Sequence, residues 1–390
     1  MKLPGNIGAA LRAAAAYSMP FAAWPRPGGT VFEAVISCGA TARRAVFAAG
    51  AAQPFFALNR FDSPDANISD AIVADIVVQG SALRYRNGET YASEPVDDAQ
   101  HRIARAAAES AAAQPLLRAG AGAERPQQTG EADYRDLVAR ATAAIGDGAF
   151  RKVVTSRAEA RPLAADHDLL ALLETLAAKL PEAFVALVHL PGEGAWLVGT
   201  PESLLSVRNN RVSTVALAGT QWAKEDTAAG DVCWPDKIIE EQALVGSYIR
   251  GAFEAGGIHE FDERGPRTVR AANLVHLRSE FEADLARNPH AALDTLLRKL
   301  HPTSAVLGMP KKPAYDFLLE HEGYERGYYT GFLGPVGFDG ATDLYVNLRT
   351  AQIIGETAYL YVGGGIVGDS RPEVEWEETV QKTRTVGSIL

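Results

Sequence analysis

Two cysteines in 390 residues, Cys38 and Cys233, are too few and too far apart for a disulfide framework. Their spacing is not that of a structural zinc site either, and such sparing use suits a reducing, cytoplasmic setting. No apolar run approaches the length of a membrane-spanning helix. The opening, MKLPGNIGAALRAAAAYSMPFAAW, has an alanine run interrupted by Arg12 and by early Pro and Gly, so no secretory signal is expected. Positive charge is in deficit: the formal net charge of −10 argues against a nucleic-acid backbone or an anionic membrane as a general partner. A small anion would need a local basic cluster or a metal. There is no short-period repeat.

What is present is an ordinary globular composition, 47% hydrophobic and 22% charged. Strand-like pieces at Thr30–Ser37 and Ala71–Val78 come first, then alanine-rich helical sequence at Ala99–Leu117. Residues 118–131, rich in Gly, Pro and Gln, read as a connection. Beyond it, strands are expected at Lys152–Ala158, Phe184–Leu190 and Ala195–Gly199, with a hairpin of Leu204–Arg208 and Val212–Leu217 turning at Asn209-Asn210. A helix is expected from Asp236 to about Glu254, closed by Gly256-Gly257, and another at Pro313–His321. Strands follow at Tyr329–Val336, Asp343–Ile353 and Ala358–Val362, and a last helix spans Pro372 to about Gly387. Hairpin-ordered strands with helices between them predict an α+β fold on antiparallel sheet.

Several residue placements invite chemistry, and each competes with an ordinary structural reading. Alternation puts Lys152, Val154, Ser156 and Ala158 on one strand face that looks inward; a desolvated lysine suits a general base, while a strand-end lysine simply reaches for water. Glu202, in GTPESLLS, is bracketed by Leu197-Val198 and Leu204-Leu205; partial burial there would make it a general acid rather than a solvated loop residue. Ile238, Leu244, Val245 and Tyr248 surround Glu241 on the apolar face of its helix, so either a cation or the helix dipole accounts for it. Glu375, Glu378 and Lys382 share one face of the last helix, as a surface salt bridge or as hard oxygen ligands for a divalent ion. Arg349, at the centre of the expected strand DLYVNLRTAQI, calls for an anion. Gly363-Gly364-Gly365 could bring backbone amides close to such an anion, or mark a bulge. His301, beside a proline turn, reads as a structural histidine.

In chain order, FRKVVTSR, TPESLL, ALAGT, EEQALV, LHPTSAVLGMP, GYYTGFLGPVG, LYVNLRTA, YVGGGIV and EVEWEETVQKT resemble the chorismate-utilising enzymes: isochorismate, salicylate, anthranilate and aminodeoxychorismate synthases. The resemblance covers about Phe150 to the C-terminus. Residues 1–130 match loosely, as a divergent part of one chorismate-binding domain spanning 1–390, with 131–390 as the motif-bearing catalytic part. PFAAWPRPGG is similar to a stretch near the start of short isochorismate synthases.

The resemblance implies central stacked antiparallel sheets with helices outside. It implies that Lys152 activates water and Glu202 protonates a departing hydroxyl, and that Glu241 and Glu378 hold Mg2+ with Glu375 nearby. It places Arg349, Gly364 and Lys382 around substrate carboxylates and His301 near the ring substituents, with Ala218, Gly219 and Thr220 of ALAGT in the substrate-binding set. Within the family, Lys152 points to water rather than ammonia as nucleophile. Ala218 stands where aminodeoxychorismate synthases carry a lysine nucleophile, and LHPTSAV favours isochorismate over salicylate synthase. WPDKIIEEQ departs from the family's more polar lead-in, which leaves Glu240 as a possible substitute for Glu241.

The implied function is a Mg2+-dependent isochorismate synthase feeding menaquinone or a siderophore, the short opening segment leaning to menaquinone. The alternatives are a salicylate synthase and a non-catalytic chorismate-binding homologue. No glutaminase subunit is expected, and the chain is expected to be a monomer acting on a small molecule.

Overall fold

A computed structural model describes residues 2–26, 28–29, 31–47, 53–63, 66, 68–109, 123–222, 232–271 and 274–390. The chain runs α1 (Gly5–Ala16), β1 (Phe21–Pro25), β2 (Phe32–Ile36), β3 (Ala42–Ala45), β4 (Phe55–Asn59), β5 (Ile68–Val73), β6 (Ile76–Gln79), β7 (Ala82–Asn87), β8 (Thr90–Ala92) and α2 (Asp98–Glu109). Next come α3 (Glu131–Gly146), β9 (Lys152–Pro162), α4 (Leu169–Lys179), β10 (Phe184–Leu190), β11 (Gly194–Thr200), β12 (Ser203–Arg208), β13 (Arg211–Trp222) and α5 (Asp236–Ala255). It ends with β14 (Asp262–Ala271), β15 (Leu274–Asp284), α6 (Leu293–Leu300), β16 (Gly308–Met309), α7 (Lys311–His321), β17 (Phe332–Phe338), β18 (Ala341–Val346), β19 (Thr350–Ile354), β20 (Thr357–Ile366) and α8 (Pro372–Gly387).

The strands form two antiparallel sheets, as the alternation of hairpins and helices predicts. The first has 11 strands in the order β16-β9-β20-β19-β11-β10-β1-β2-β6-β7-β8 among the described residues. The second has nine, in the order β14-β15-β13-β12-β18-β17-β4-β5-β3. Strands from the first hundred residues thus extend one flank of each sheet beyond β10 and β17. The sheets face each other across a core that includes Trp24, Phe56, Phe184, Trp196, Leu333 and Tyr361. Helices α1, α2 and α4 cover the outer face of the first sheet, and α5 and α6 cover that of the second. Helices α3 and α7 close a fourth cluster with Phe150, Val153 and Ile366 at the β9 end. Among the described residues no helix is long and apolar enough to cross a membrane.

The hairpin between β12 and β13 turns at Asn209 (φ 51°) and Asn210 (φ 60°), the positive φ pair that a type I′ turn needs and that Asn tolerates. Two expected strands are each broken in two. Ala71–Val78 divides into the end of β5 in the second sheet and β6 in the first, crossing at Ala74-Asp75. Asp75 is buried there, accepting from the Cys38 amide (2.8 Å) and the Arg86 guanidinium (2.6 Å). Asp343–Ile353 likewise divides into β18 of the second sheet and β19 of the first. The break falls at Asn347–Arg349, where the buried Asn347 amide group donates to the Tyr328 carbonyl (2.9 Å) and Arg349 adopts φ 48°. Arg349 therefore sits at a crossing, not at a strand centre. The strand expected from Tyr329 begins only at Phe332, after a tight turn with Thr330 at φ 58°. Helical sequence expected through Leu117 is α2 as far as Glu109; the remainder lies outside the described residues.

One buried ion pair ties several of these segments together. Arg326 donates Nε to Glu322 Oε2 (2.6 Å) and Nη2 to Glu322 Oε1 (2.7 Å), and both side chains are almost wholly buried. The guanidinium also reaches the carbonyls of Val154 in β9 (2.6 Å) and Val306 (2.9 Å), and Thr330 Oγ1 (3.2 Å). Glu322 Oε1 in turn accepts from the amide (2.7 Å) and hydroxyl (2.8 Å) of Ser156. Removing one partner strands a buried charge, so Arg326→Met should lower the unfolding free energy by about 3–5 kcal/mol in urea denaturation. Adding Glu322→Gln should recover part of that loss, since no unpaired charge then remains.

Candidate active site

Lys152 opens β9, and its ammonium is ion-paired with Glu241 Oε1 from α5. Its stem passes over Gly365 of β20, where a Cβ would stand 3.0 Å from Lys152 Cε. Both faces of β9 are buried, not one as alternation suggests, because α3 and α8 cover the second. Arg157 lies on that second face, donating to Thr379 Oγ1 (2.8 Å) with its guanidinium 4.3 Å from the Trp376 ring centre.

Glu202 follows β11 and is held by its backbone: its carbonyl accepts from the Val346 amide (3.0 Å). Its carboxylate accepts from Thr303 Oγ1 (3.3 Å). Burial pushes its pKa up to about 7, partly countered by that hydrogen bond and by the charges of Lys152 and Arg349. Those opposing contributions bring the acid, the lysine and the arginine into one electrostatic neighbourhood. The Arg349 guanidinium is itself lowered from its ordinary value by burial, with Glu202 acting against the shift. Thr303 is a member of this group that residue-type reasoning did not single out; it stands two residues after His301 in the same motif. His301 is the C-cap of α6, buried and edge-on to Phe332 with ring centres 5.2 Å apart. Burial, then the neighbouring Lys311 charge, pushes its pKa down to about 3, so its imidazole is neutral.

A second group gathers over Gly364, on the opposite side of β20 from Gly365. A Cβ there would meet Glu375 Oε2 at 3.3 Å, Tyr134 OH at 3.6 Å and Glu378 Oε1 at 4.0 Å. Glycine leaves room for that convergence. Lys382 Nζ bonds to Glu378 Oε1 (2.7 Å) and to the Gly363 carbonyl (2.8 Å). The surface salt bridge allowed by the spacing is therefore made, and it sits against the glycine triplet. The pKa of Glu375 is raised, first by burial and further by the Glu378 charge, against a Ser370 hydroxyl that donates at 2.7 Å. Tyr134, from α3, accepts from Thr155 Oγ1 at 3.1 Å. Nothing in the sequence pattern distinguishes it from a core tyrosine.

On α5 the buried row is Gln242, Gly246, Ile249 and Phe253, while Leu244 is 38% exposed. The apolar face inferred around Glu241 is thus rotated by about one residue. A buried glutamine, invisible to a hydrophobic count, holds the centre. Glu240 is exposed and Glu241 half-buried toward Lys152. The backbones of Ala218, Gly219 and Thr220 lie in β13, where the pairing with β15 slips between Leu217 and Gly219, a β-bulge at Ala218. Their side chains lie outside the described residues.

Among the described residues no three His, Cys, Asp or Glu side chains form a ready cage for a metal. The donors present nevertheless suit a hard divalent ion. The Glu378 charge works against ionisation of Glu375 over Gly364, and Glu241, paired with Lys152 on the Gly365 side of β20, is a third oxygen donor. Magnesium takes one or two carboxylates together with waters and substrate oxygens, not a full protein cage.

Chorismate binding enzymes match residues 78–390 of this chain. The salicylate biosynthesis isochorismate synthase of Pseudomonas aeruginosa is 34% identical over 259 residues, which is 65% of this chain and 53% of that relative. Anthranilate synthase component 1 of Streptomyces coelicolor is 32% identical over 264 residues, 66% of this chain and 51% of the relative. This chain thus spans about half the length of these two curated relatives. The solved structure of MenF, the menaquinone-specific isochorismate synthase of Escherichia coli, matches with a TM-score of 0.74 at 25% identity, over 95% of this chain and 88% of that one. A family match across most of the chain, joined to the same fold over nearly all of it, makes this protein a member of the chorismate-binding enzyme family.

Proposed function

We propose that this chain is a magnesium-dependent isochorismate synthase, adding water at C2 of chorismate and expelling the C4 hydroxyl. The observation that carries the reading is Glu202, a half-buried carboxyl following β11 whose pKa is pushed up to about 7, in the fields of Lys152 and Arg349 and held by Thr303. Hydroxide is a poor leaving group, so its departure needs a proton donor, and water addition needs a base on the reacting carbon's side. Glu202 gives its proton to the C4 oxygen, which leaves as water. Lys152, acting as its neutral amine and released from the Glu241 pair, takes a proton from the incoming water, and the ring double bonds shift between the two carbons. Arg349 presents a planar fork to one substrate carboxylate.

Glu241, Glu378 and Glu375 are the residues that would hold Mg2+, whose charge would balance the other carboxylate when bound. Lys382, paired with Glu378 against the Gly363 carbonyl, would meet a substrate carboxylate next to that set. Lys152 favours water over ammonia and so separates this chain from its anthranilate synthase relatives. Menaquinone supply is the proposed use, on the likeness to a menaquinone-specific enzyme over 95% of this chain.

Incubation of the purified protein with chorismate, resolved by chromatography, tests the reading. A reversible chorismate–isochorismate mixture that needs added Mg2+ is expected. Salicylate and pyruvate would replace the assignment with a salicylate synthase, and no turnover would leave a binding protein. Lys152→Ala should abolish water addition while circular dichroism stays unchanged; normal turnover by that variant would sink the mechanism.

The acid role has a pH signature. Glu202 keeps its proton below about pH 7, so kcat should fall as pH rises through that value. The folded state binds this proton more tightly than the unfolded chain between the ordinary carboxylate range and about 7, so the site costs stability as pH rises through that window. Thermal midpoints of Glu202→Gln should therefore gain on wild type from pH 5 to pH 8, and a constant difference would contradict the shifted carboxyl.

A further inference from the structure

Three consecutive residues of α5 have three different fates: Glu240 is exposed, Glu241 turns half-buried to Lys152, and Gln242 is 1% exposed. Successive helix residues point about 100° apart, so a small roll of α5 decides which carboxylate reaches the site. Apolar packing alone sets that roll loosely, because Ile239 and Leu244 flank the buried row and are themselves exposed. Directional bonds set it tightly. Gln242 Nε2 donates to the Ala216 carbonyl of β13 (3.2 Å) and to Ser279 Oγ of β15 (3.0 Å). Ala216 and Ser279 are register partners, two residues before the bulge at Ala218 that leads into Gly219 and Thr220.

We infer that Gln242 is a positioning residue, which locks α5 onto the β13–β15 pair so that Glu241, and not Glu240, is the carboxylate presented beside Lys152. The inference rests on the assignment of Glu241 to the cation and substrate site. One amide then couples the helix carrying Glu241 to the bulged segment. Without it, a buried carbonyl and a buried hydroxyl each lose a donor and the helix loses its angular reference. Residues that orient a ligand from behind are worth about 10–100-fold in metal affinity or activity.

The test compares Gln242→Leu, Ser279→Ala, Glu240→Gln, Glu241→Gln and the double variant Gln242→Leu/Glu241→Gln. Three quantities are read: Mg2+ affinity by titration calorimetry without chorismate, kcat and KM for chorismate, and thermal midpoint. Gln242→Leu should keep the fold and lose about tenfold or more in Mg2+ affinity and kcat. Ser279→Ala, which leaves α5 untouched, should move both the same way by less. Glu240→Gln should match wild type. In the double variant, losing Glu241 should cost far less than it does in the wild-type background, because the carboxylate is already misplaced. Normal Mg2+ affinity and kcat in Gln242→Leu, or losses that multiply independently in the double variant, would overturn the inference while leaving Glu241 in place. Wild-type behaviour of Glu241→Gln would overturn the assignment of Glu241 and this inference with it.

Discussion

A guanidinium and a carboxylate, Arg326 and Glu322, meet almost out of reach of solvent, and their remaining valences are spent on backbone groups and two hydroxyls. Such a pair survives burial only when each hydrogen and lone pair finds a partner, and here they do, in β9, at Val306 and at Thr330. β9 carries Lys152, and the segment ending at Val306 carries His301 and Thr303. The pair therefore spans the distance between the lysine and the threonine that touches Glu202. Neither Arg326 nor Glu322 need contact a substrate for the site to depend on them.

A second constraint is the passage of the chain between the two sheets. At Ala74-Asp75 and again at Asn347–Arg349 the backbone leaves one sheet and joins the other within a few residues. The second crossing lies beside the end of β11, where the Gly199 amide donates to the Arg349 carbonyl (3.1 Å) and the Val346 amide to the Glu202 carbonyl (3.0 Å). Arg349 and Glu202 are thus neighbours through backbone geometry, before any attraction between their side chains acts. The positive φ of Arg349 is the local strain this arrangement carries, and strain of that kind gathers at functional sites.

The charges of the site are arranged in opposed pairs: Lys152 with Glu241, and Lys382 with Glu378. Glu202 stands apart, with a hydroxyl partner and no direct ion pair among the described residues, so burial dominates its protonation. The same environment that makes a carboxyl costly to ionise makes it a competent proton donor near neutrality. Glu375, raised by burial and by Glu378, is the complementary case of an acid that a cation would relieve.

Much of this was legible in the sequence. The antiparallel α+β class, the Asn209-Asn210 hairpin, the bounds of β10 and α8, and the chorismate-utilising family all follow from local patterns and ordered motifs. These depend on turn chemistry and periodicity, which are local properties. The sheet crossings were not legible, because strand-forming residues flank Asp75 and Asn347 on both sides while their burying partners change from one sheet to the other. The face of α5 was misplaced for a related reason: Gln242 is polar by type and central by position, and only its partners on β13 and β15 make that compatible. Thr303, Tyr134 and the Arg326–Glu322 pair are ordinary residues in a linear reading. Sequence determined which chemical groups exist and in what order; tertiary structure decided which of them meet, because contacts between residues a hundred or more positions apart are set by packing and register that no single segment contains.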